Sequence, residues 1–475
     1  MRLNTTLSTL LLVFCWILCS TTAFAQYTWT GNGNDNDWQN PNNWSPTGYP
    51  DAGDIAQFTS GSGNIGPLTG IPSGIGTVIL NGFTGTVQIG GNLTCDDITV
   101  TTGTLQINSG YNLAVNNSTT INNVGTLTLN NPGSLHSLGT FTLSSGTFNG
   151  PSSSGSSVQL TSATISGGTF NGNGGDYTID QNQQLAISGG IFNAGSGNYS
   201  LSISSSNTVF DHTGGTFNRG TSTFSVSVEG SGTRTATLST NTTTGFHNLT
   251  ITSNNLGTGR VVAFSGTFII HNELERTGRL TDVTGSNLQY ASGATLRYNP
   301  NNNQNVFGEW PSSSGPTNVI KQGSNTITLT ESRTIPSGGV LQIDAGTFTI
   351  GSSVTLTVNG ALRRNGGSLT NSGTLTYGTT GTQTVDGNSY TGAVLWYSAG
   401  ATIGAEFPTS VPNLLITSGT VSGSANRTVQ GIFRMTTGTL NLGSNTLTVL
   451  GDISGSAVAG MAVINDNKTL NLGGG

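Results

Sequence analysis

Gly146-Thr147-Phe148-Asn149, Gly168-Thr169-Phe170-Asn171, Gly190-Ile191-Phe192-Asn193 and Gly215-Thr216-Phe217-Asn218 are one phrase written four times. Two earlier stretches, Gly103-Thr104-Leu105 and Gly125-Thr126-Leu127, open in the same way. The apolar residue therefore returns at Leu105, Leu127, Phe148, Phe170, Phe192 and Phe217, in steps of 22, 21, 22, 22 and 25 residues. A second ladder, Tyr177, Tyr199 and Phe224, takes steps of 22 and 25 over the same interval. Two ladders that lengthen their step together are a structural repeat.

Within each unit apolar and polar residues alternate, as in Leu127-Thr128-Leu129, Tyr199-Ser200-Leu201-Ser202-Ile203 and Phe224-Ser225-Val226-Ser227-Val228. A period of two is a strand with one face inward and the other in water. Gly and Asn punctuate these strands, where the backbone must turn sharply. Short strands on a ~22-residue period predict an all-β chain folded as a parallel β-helix, or β-solenoid, with coils stacked at about 4.8 Å. The preference of parallel crossovers sets its expected hand as right-handed. Asn149, Asn171, Asn193 and Asn218 recur with their Phe neighbours and are expected to hydrogen-bond along a ladder. The Phe stack supplies the core that one coil cannot bury alone. At ~22 residues per coil the chain beyond its leader makes about 20 coils, a rod on the order of 100 Å long.

Composition removes several classes of function. The 475 residues hold 14 Lys and Arg, 20 Asp and Glu, and 71 Gly, for a net charge of −6. Cations so few and so scattered make no basic stripe, so nucleic acid is not an expected partner. Long amphipathic helices are excluded by the scarcity of Glu, Lys and Arg. Residues 1–25 read as a signal peptide: Arg2, the apolar run Leu10–Leu18, then Ala23-Phe24-Ala25 before Gln26. No later stretch is long and apolar enough for a membrane-spanning helix. The expected location is extracellular or on the outer cell surface. Beyond the leader only Cys95 remains, which closes no internal disulfide.

Four segments are expected: residues 1–25, a cap at 26–60, ~22-residue coils at 61–245, and longer repeats at 246–475. In that last segment Asn248-Leu249, Asn318-Val319 and Asn413-Leu414 open three units. Glu309-Trp310-Pro311 aligns with Glu406-Phe407-Pro408, Arg333-Thr334-Ile335 with Arg427-Thr428-Val429, and Gly346-Thr347-Phe348 with Gly438-Thr439-Leu440, at offsets of 97, 94 and 92 residues. This reads as a duplication of about four coils, giving repeats of some 70–97 residues. Strands closing at Tyr298 and Tyr377 precede polar loops at 299–308 and 378–392. In the cap, Trp29, Trp38, Trp44 and Tyr49 crowd together to plug the open end of the first coil. The chain stops within a repeat at Thr469-Leu470-Asn471-Leu472-Gly473, which reads as an incomplete C-terminal unit.

Trp29-Thr30-Gly31, Trp38, Asn43-Trp44, Pro50 and Asp54 resemble the opening segment of exported bacterial β-strand-repeat proteins, the adhesin-like and autotransporter-type passengers. Asn413-Leu414-Leu415-Ile416 and the run Thr437–Val449 are similar to repeats of large surface proteins of Bacteroidota. The resemblance implies export, surface display and an adhesion or matrix role, with a cell-surface or matrix polysaccharide or protein as partner.

Candidate chemistry is sparse, and the expectation is a non-enzymatic protein. Glu309 and Glu406 stand in equivalent places of two repeats, too far apart for a hydrolytic carboxylate pair. Glu273 and Glu275 share a strand face, with Arg276 following directly. The histidines, His136, His212, His247 and His271, show no metal-ligand spacing and read as solvated or turn residues. Asp35, Asp37, Asp51 and Asp54 are weak calcium candidates in an Asn/Asp/Gly-rich run without the bidentate Glu of a calcium loop. Otherwise no cofactor is expected. Thr-x-Thr triplets do not recur at one fixed phase of the coil, so an ice-binding lattice is not favoured. Trp310, Trp396 and Tyr397, in or beside the polar loops, are the candidate carbohydrate contacts, although covering the solenoid flank or plugging a coil is the favoured role for these rings. They carry the alternative reading, a carbohydrate-binding or polysaccharide-lyase-like β-helix protein.

Overall fold

Each Gly-Thr-Phe-Asn phrase is a turn followed by a strand, and the backbone shows why glycine stands there. Gly146, Gly168, Gly190 and Gly215 take φ values of 74°, 67°, 68° and 81°, in the left-handed region that a Cβ disfavours. The next residue faces outward, the Phe inward and the Asn outward again.

The computed structural model describes residues 24–61, 63–130, 133–253, 259–280, 282–285, 287–443, 445–454 and 470–472. The expected leader lies almost wholly outside them. The described chain is all-β, with 54% of residues in strands and 1% helical, and forms a parallel β-solenoid of about 17 turns. The turns are fewer than the ~20 expected because some coils are long. Gln26 to its register partner Ile55 takes 29 residues, and Leu362 to Leu395 takes 33.

In the well-formed middle of the rod each coil contributes three strands. One coil runs Leu135–Ser137, Thr140–Leu143 and Thr147–Asn149, and the next Ser157–Leu160, Ser162–Ile165 and Thr169–Asn171. The first two strands of each coil join a 27-stranded sheet, and the third an eight-stranded sheet. Register in the eight-stranded sheet equates Thr104, Thr126, Thr147, Thr169, Ile191 and Thr216.

Stacked rings fill the interior. Phe148–Phe170, Phe170–Phe192 and Phe192–Phe217 centroids lie 4.8, 4.6 and 5.4 Å apart. Tyr177–Tyr199 and Tyr199–Phe224 stack at 4.8 and 4.6 Å. Each buried phenol must find an acceptor. Tyr177 donates to the Gly172 carbonyl and Tyr199 to that of Ala194, both at 2.9 Å. The asparagine ladder forms too: Asn171 Nδ2 donates to Asn149 Oδ1, Asn193 to Asn171 and Asn218 to Asn193, each at 2.8 Å.

The coils continue through residue 246. Strands Arg234–Thr252 and Arg260–Gly278, 19 residues each, run round the corners of two successive coils with register shifts at the bends. At the N-terminal end, strand Trp44–Ser45 pairs antiparallel with Gln26–Trp29, which pairs parallel with Ile55–Phe58. The antiparallel strand covers the edge that the first coil would otherwise present. Trp29, Trp38, Trp44 and Phe58 form one aromatic cluster, with Trp38–Trp44 at 4.9 Å and Trp29–Trp44 at 5.0 Å. Trp38 Nε1 donates to the Pro50 carbonyl and Trp44 Nε1 to that of Trp38.

Candidate functional site

Two of the three rings named as candidate sugar contacts lie in the core, the favoured alternative for them. Trp310 is 1% exposed and packs toward Phe348, and Tyr397 is fully buried. Neither presents a face to a sugar, which corrects the expectation for both residues. For Tyr397 the cause is alternation: in strand Val394–Tyr397 the inward phase falls on Tyr397 and the outward on Trp396, whereas Trp310 lies in a bend outside any strand. Trp396 is partly exposed, but the Arg363 guanidinium covers its ring at 4.1 Å and its Nε1 donates to Thr417 Oγ1.

The second polar loop is itself structured. Thr382–Val385 and Asn388–Thr391 form an antiparallel hairpin whose Val385 and Tyr390 cluster with Ala361, Val394 and Leu415, and Trp396 packs against this cluster. Asp386 and Gly387 take φ values of 50° and 71° at its tip. That Asp-Gly pair is a hairpin signal the sequence reading passed over.

Glu309 and Glu406 prove to be the centres of two copies of one buried device. Each carboxylate pairs with an inward arginine, Arg276 or Arg364, and accepts from a tyrosine hydroxyl, Tyr298 or Tyr397. A second tyrosine, Tyr290 or Tyr377, donates to the backbone carbonyl of the same glutamate at 2.6 Å. Tyr298 thus corresponds to Tyr397 in role, whereas the sequence alone sets it beside Tyr377. Both carboxylates are wholly buried. Glu273 is on the outer face, gripped by Arg297 through two hydrogen bonds of 3.0 and 2.6 Å.

The four acidic cap residues serve the cap's own backbone and amides. Asp35 accepts from Asn40 Nδ2 and Asn43 Nδ2 at 2.7 Å each, and these bonds hold its carboxyl below the usual range. Asp37 Oδ1 accepts from the Gln39 amide. Asp54 accepts from the amides of Ala25 and Asp51, and its carboxyl raises the pKa of Asp51 through a shared hydrogen bond. Among the described residues no group of three or more His, Cys, Asp and Glu side chains gathers. Beside the cap a cleft of about 470 Å³ is lined by Thr28, Trp29, Thr30, Ser60, Asn64 and Phe83, among others, with no titratable group.

Two histidines expected in solvent or turns are inward strand residues. His136 is 3% exposed, its Nδ1 accepts from the Leu113 amide, and burial pushes its pKa down to about 4. His212 is 2% exposed beside Thr242 and Thr244.

The most regular surface is the outer face of the eight-stranded sheet. Thr86, Thr104, Thr126, Thr147, Thr169, Ile191 and Thr216 form one column. Gln88, Gln106, Thr128, Asn149, Asn171, Asn193 and Asn218 form the next. Coils repeat at about 4.8 Å and columns stand about 7 Å apart. No charged residue occurs in either column, and all but Ile191 carry a hydroxyl or an amide. The Thr-x-Thr triplets themselves are spread over several sheets, with Thr126-Thr128 here, Thr250-Thr252 on the long sheet and Thr355-Thr357 on a third. The column was present in the repeated phrase, but only register shows its members on one face.

No protein-family model, curated protein or solved structure matches this chain. Among the described residues no helix is long and apolar enough to cross a membrane.

Proposed function

We propose that this protein is an exported, surface-displayed and non-enzymatic β-solenoid, adhesin-like or structural, that binds an uncharged polysaccharide along the outer face of its eight-stranded sheet. The observation that supports this reading is the charge-free double column of hydroxyls and amides held in register over seven coils. A neutral sugar chain offers hydroxyls as both donors and acceptors, and threonine and asparagine answer both. Each contact is weak, and many along a stiff rod add without further ordering cost. The asparagine ladder fixes each amide plane before a ligand arrives, so little side-chain entropy is lost on binding. Carbohydrate recognition then resides in the sheet, with Trp310 and Tyr397 in the core. Export rests on the Leu10–Leu18 run and the Ala23-Phe24-Ala25 site.

The test uses residues 26–475 on a panel of insoluble neutral polysaccharides, with bound protein and released reducing ends or unsaturated sugars read from the same tubes. Binding without product is expected. Product release overturns the non-enzymatic reading, and absence of binding to every neutral polymer overturns the assigned ligand class.

A further inference from the structure

Where the eight-stranded sheet ends, three basic side chains from three successive coils meet at one corner. Arg219 follows strand Thr216–Asn218, His247 lies in strand Arg234–Thr252 and His271 in strand Arg260–Gly278. Phe246 pairs with Ile270 but Asn248 with Glu273, so His247 alone faces both His271 and Asn272. Such a bulge re-aims the side chains at it. Gly245, just before, is a strand-interior glycine without a positive φ, so backbone conformation does not require it. Its surroundings show what lies over it: a Cβ there would lie 2.7 Å from His271 Nε2 and 3.8 Å from Arg219 Cδ. A glycine inside a strand marks a place where something approaches closely. Arg219 Nε is buried with no hydrogen-bond partner, while the residue as a whole is partly exposed, as are His247 and His271.

Among the described residues no carboxylate forms an ion pair with this corner. On these strands Glu273 is held by Arg297, and Glu275 is the other outward acid. The turn 194–198 on the preceding side carries no titratable group. On the following side, 290–293, the one titratable group is Tyr290, buried and bonded to the Glu309 carbonyl. In a chain with 14 Lys and Arg, an unpaired basic cluster is conspicuous.

We propose that Arg219, His247 and His271, gathered where Gly245 lets the His271 ring approach the strand, form a binding site for the oxyanion substituent, carboxylate or sulfate, of an acidic polysaccharide. Guanidinium and imidazolium donors make their strongest hydrogen bonds to such groups. A polymer suits the site because the three residues come from three successive coils, about 10 Å of outer corner along the rod, so a chain can run on past the point where Arg219 and His271 converge over Gly245. Burial first, then the positive charges of Arg219 and His247, hold the pKa of His271 below its ordinary value. A bound anion offsets those charges, so binding tightens as pH falls from 7.5 to 5.5. This site is independent of the neutral sheet face, and its failure leaves that reading intact.

The experiment measures binding of residues 26–475 to dextran sulfate, polygalacturonate and unsubstituted dextran at pH 5.5 and 7.5, with inorganic sulfate as competitor. Melting curves check the fold of every variant. Binding to at least one acidic polymer is expected, tighter at pH 5.5. Arg219→Gln and His271→Gln should each weaken it about tenfold or more, the loss of one charge-assisted hydrogen bond. Arg219→Lys keeps the charge and should retain most of the binding, which separates an electrostatic role from a structural one. Equal binding by Arg219→Gln, His271→Gln and the parent overturns the proposal, as does no binding to either acidic polymer at pH 5.5. Inorganic sulfate that binds as tightly as the polymers overturns the polymer assignment.

Discussion

His136 shows what one inward polar residue costs and where. Its folded pKa, about 4, lies below the ordinary histidine value of 6.5. Between those values the unfolded chain binds a proton that the folded chain refuses, so folding stability falls as pH drops through that window. Acid melting between pH 7 and 4 should show this loss, and His136→Gln should lessen it, because an amide oxygen still accepts from Leu113 without titrating. Glu309 and Glu406 offer a second test. Glu309→Gln or Glu406→Gln leaves a buried arginine without its counter-charge, a loss of about 3–5 kcal/mol each in urea unfolding. The two devices lie several coils apart, so the double variant should cost close to the sum. None of this burial was legible residue by residue. The separation of Glu309 from Glu406 was plain from their repeat, but the inward phase of Arg276 and Arg364 depends on strand register, which sequence alone does not set. The inward place of Tyr397 depends on the same strand phase, whereas Trp310 lies in a bend outside any strand.

At the scale of the element, the aromatic and asparagine ladders were legible because their period is the coil itself. Phe148, Phe170 and Phe192 stack where their spacing puts them, and a residue between two others bears most on the coil. Phe170→Ala should lower stability by about 3–5 kcal/mol, read by thermal or urea unfolding. The hairpin at 382–391 was missed because it lies outside the coil period, although Asp386-Gly387 carried its turn chemistry. The cap was legible as an aromatic cluster but not as an edge strand, because Trp44–Ser45 is only two residues long. Asp35, one of the cap's calcium candidates, already accepts from two asparagine amides. A chelator should therefore leave the melting temperature of residues 26–475 unchanged, and a drop would assign a metal to the cap.

Over the whole molecule, repetition substitutes for a thick core. Each coil buries its inward residues against its neighbours, so stability is a sum of nearly equal interfaces along a rod of about 17 turns. The same stacking that makes a continuous core makes continuous outer columns, and one of these carries hydroxyls and amides with no charge. This column is the proposed binding face. It is tested most directly by placing one charge in it, Thr169→Glu, and one on a different outward face, Thr250→Glu, and measuring retention on the neutral polysaccharide that binds the parent. Thr169→Glu should lose binding while keeping its melting temperature, and Thr250→Glu should bind as the parent does. Equal retention of both variants would contradict it.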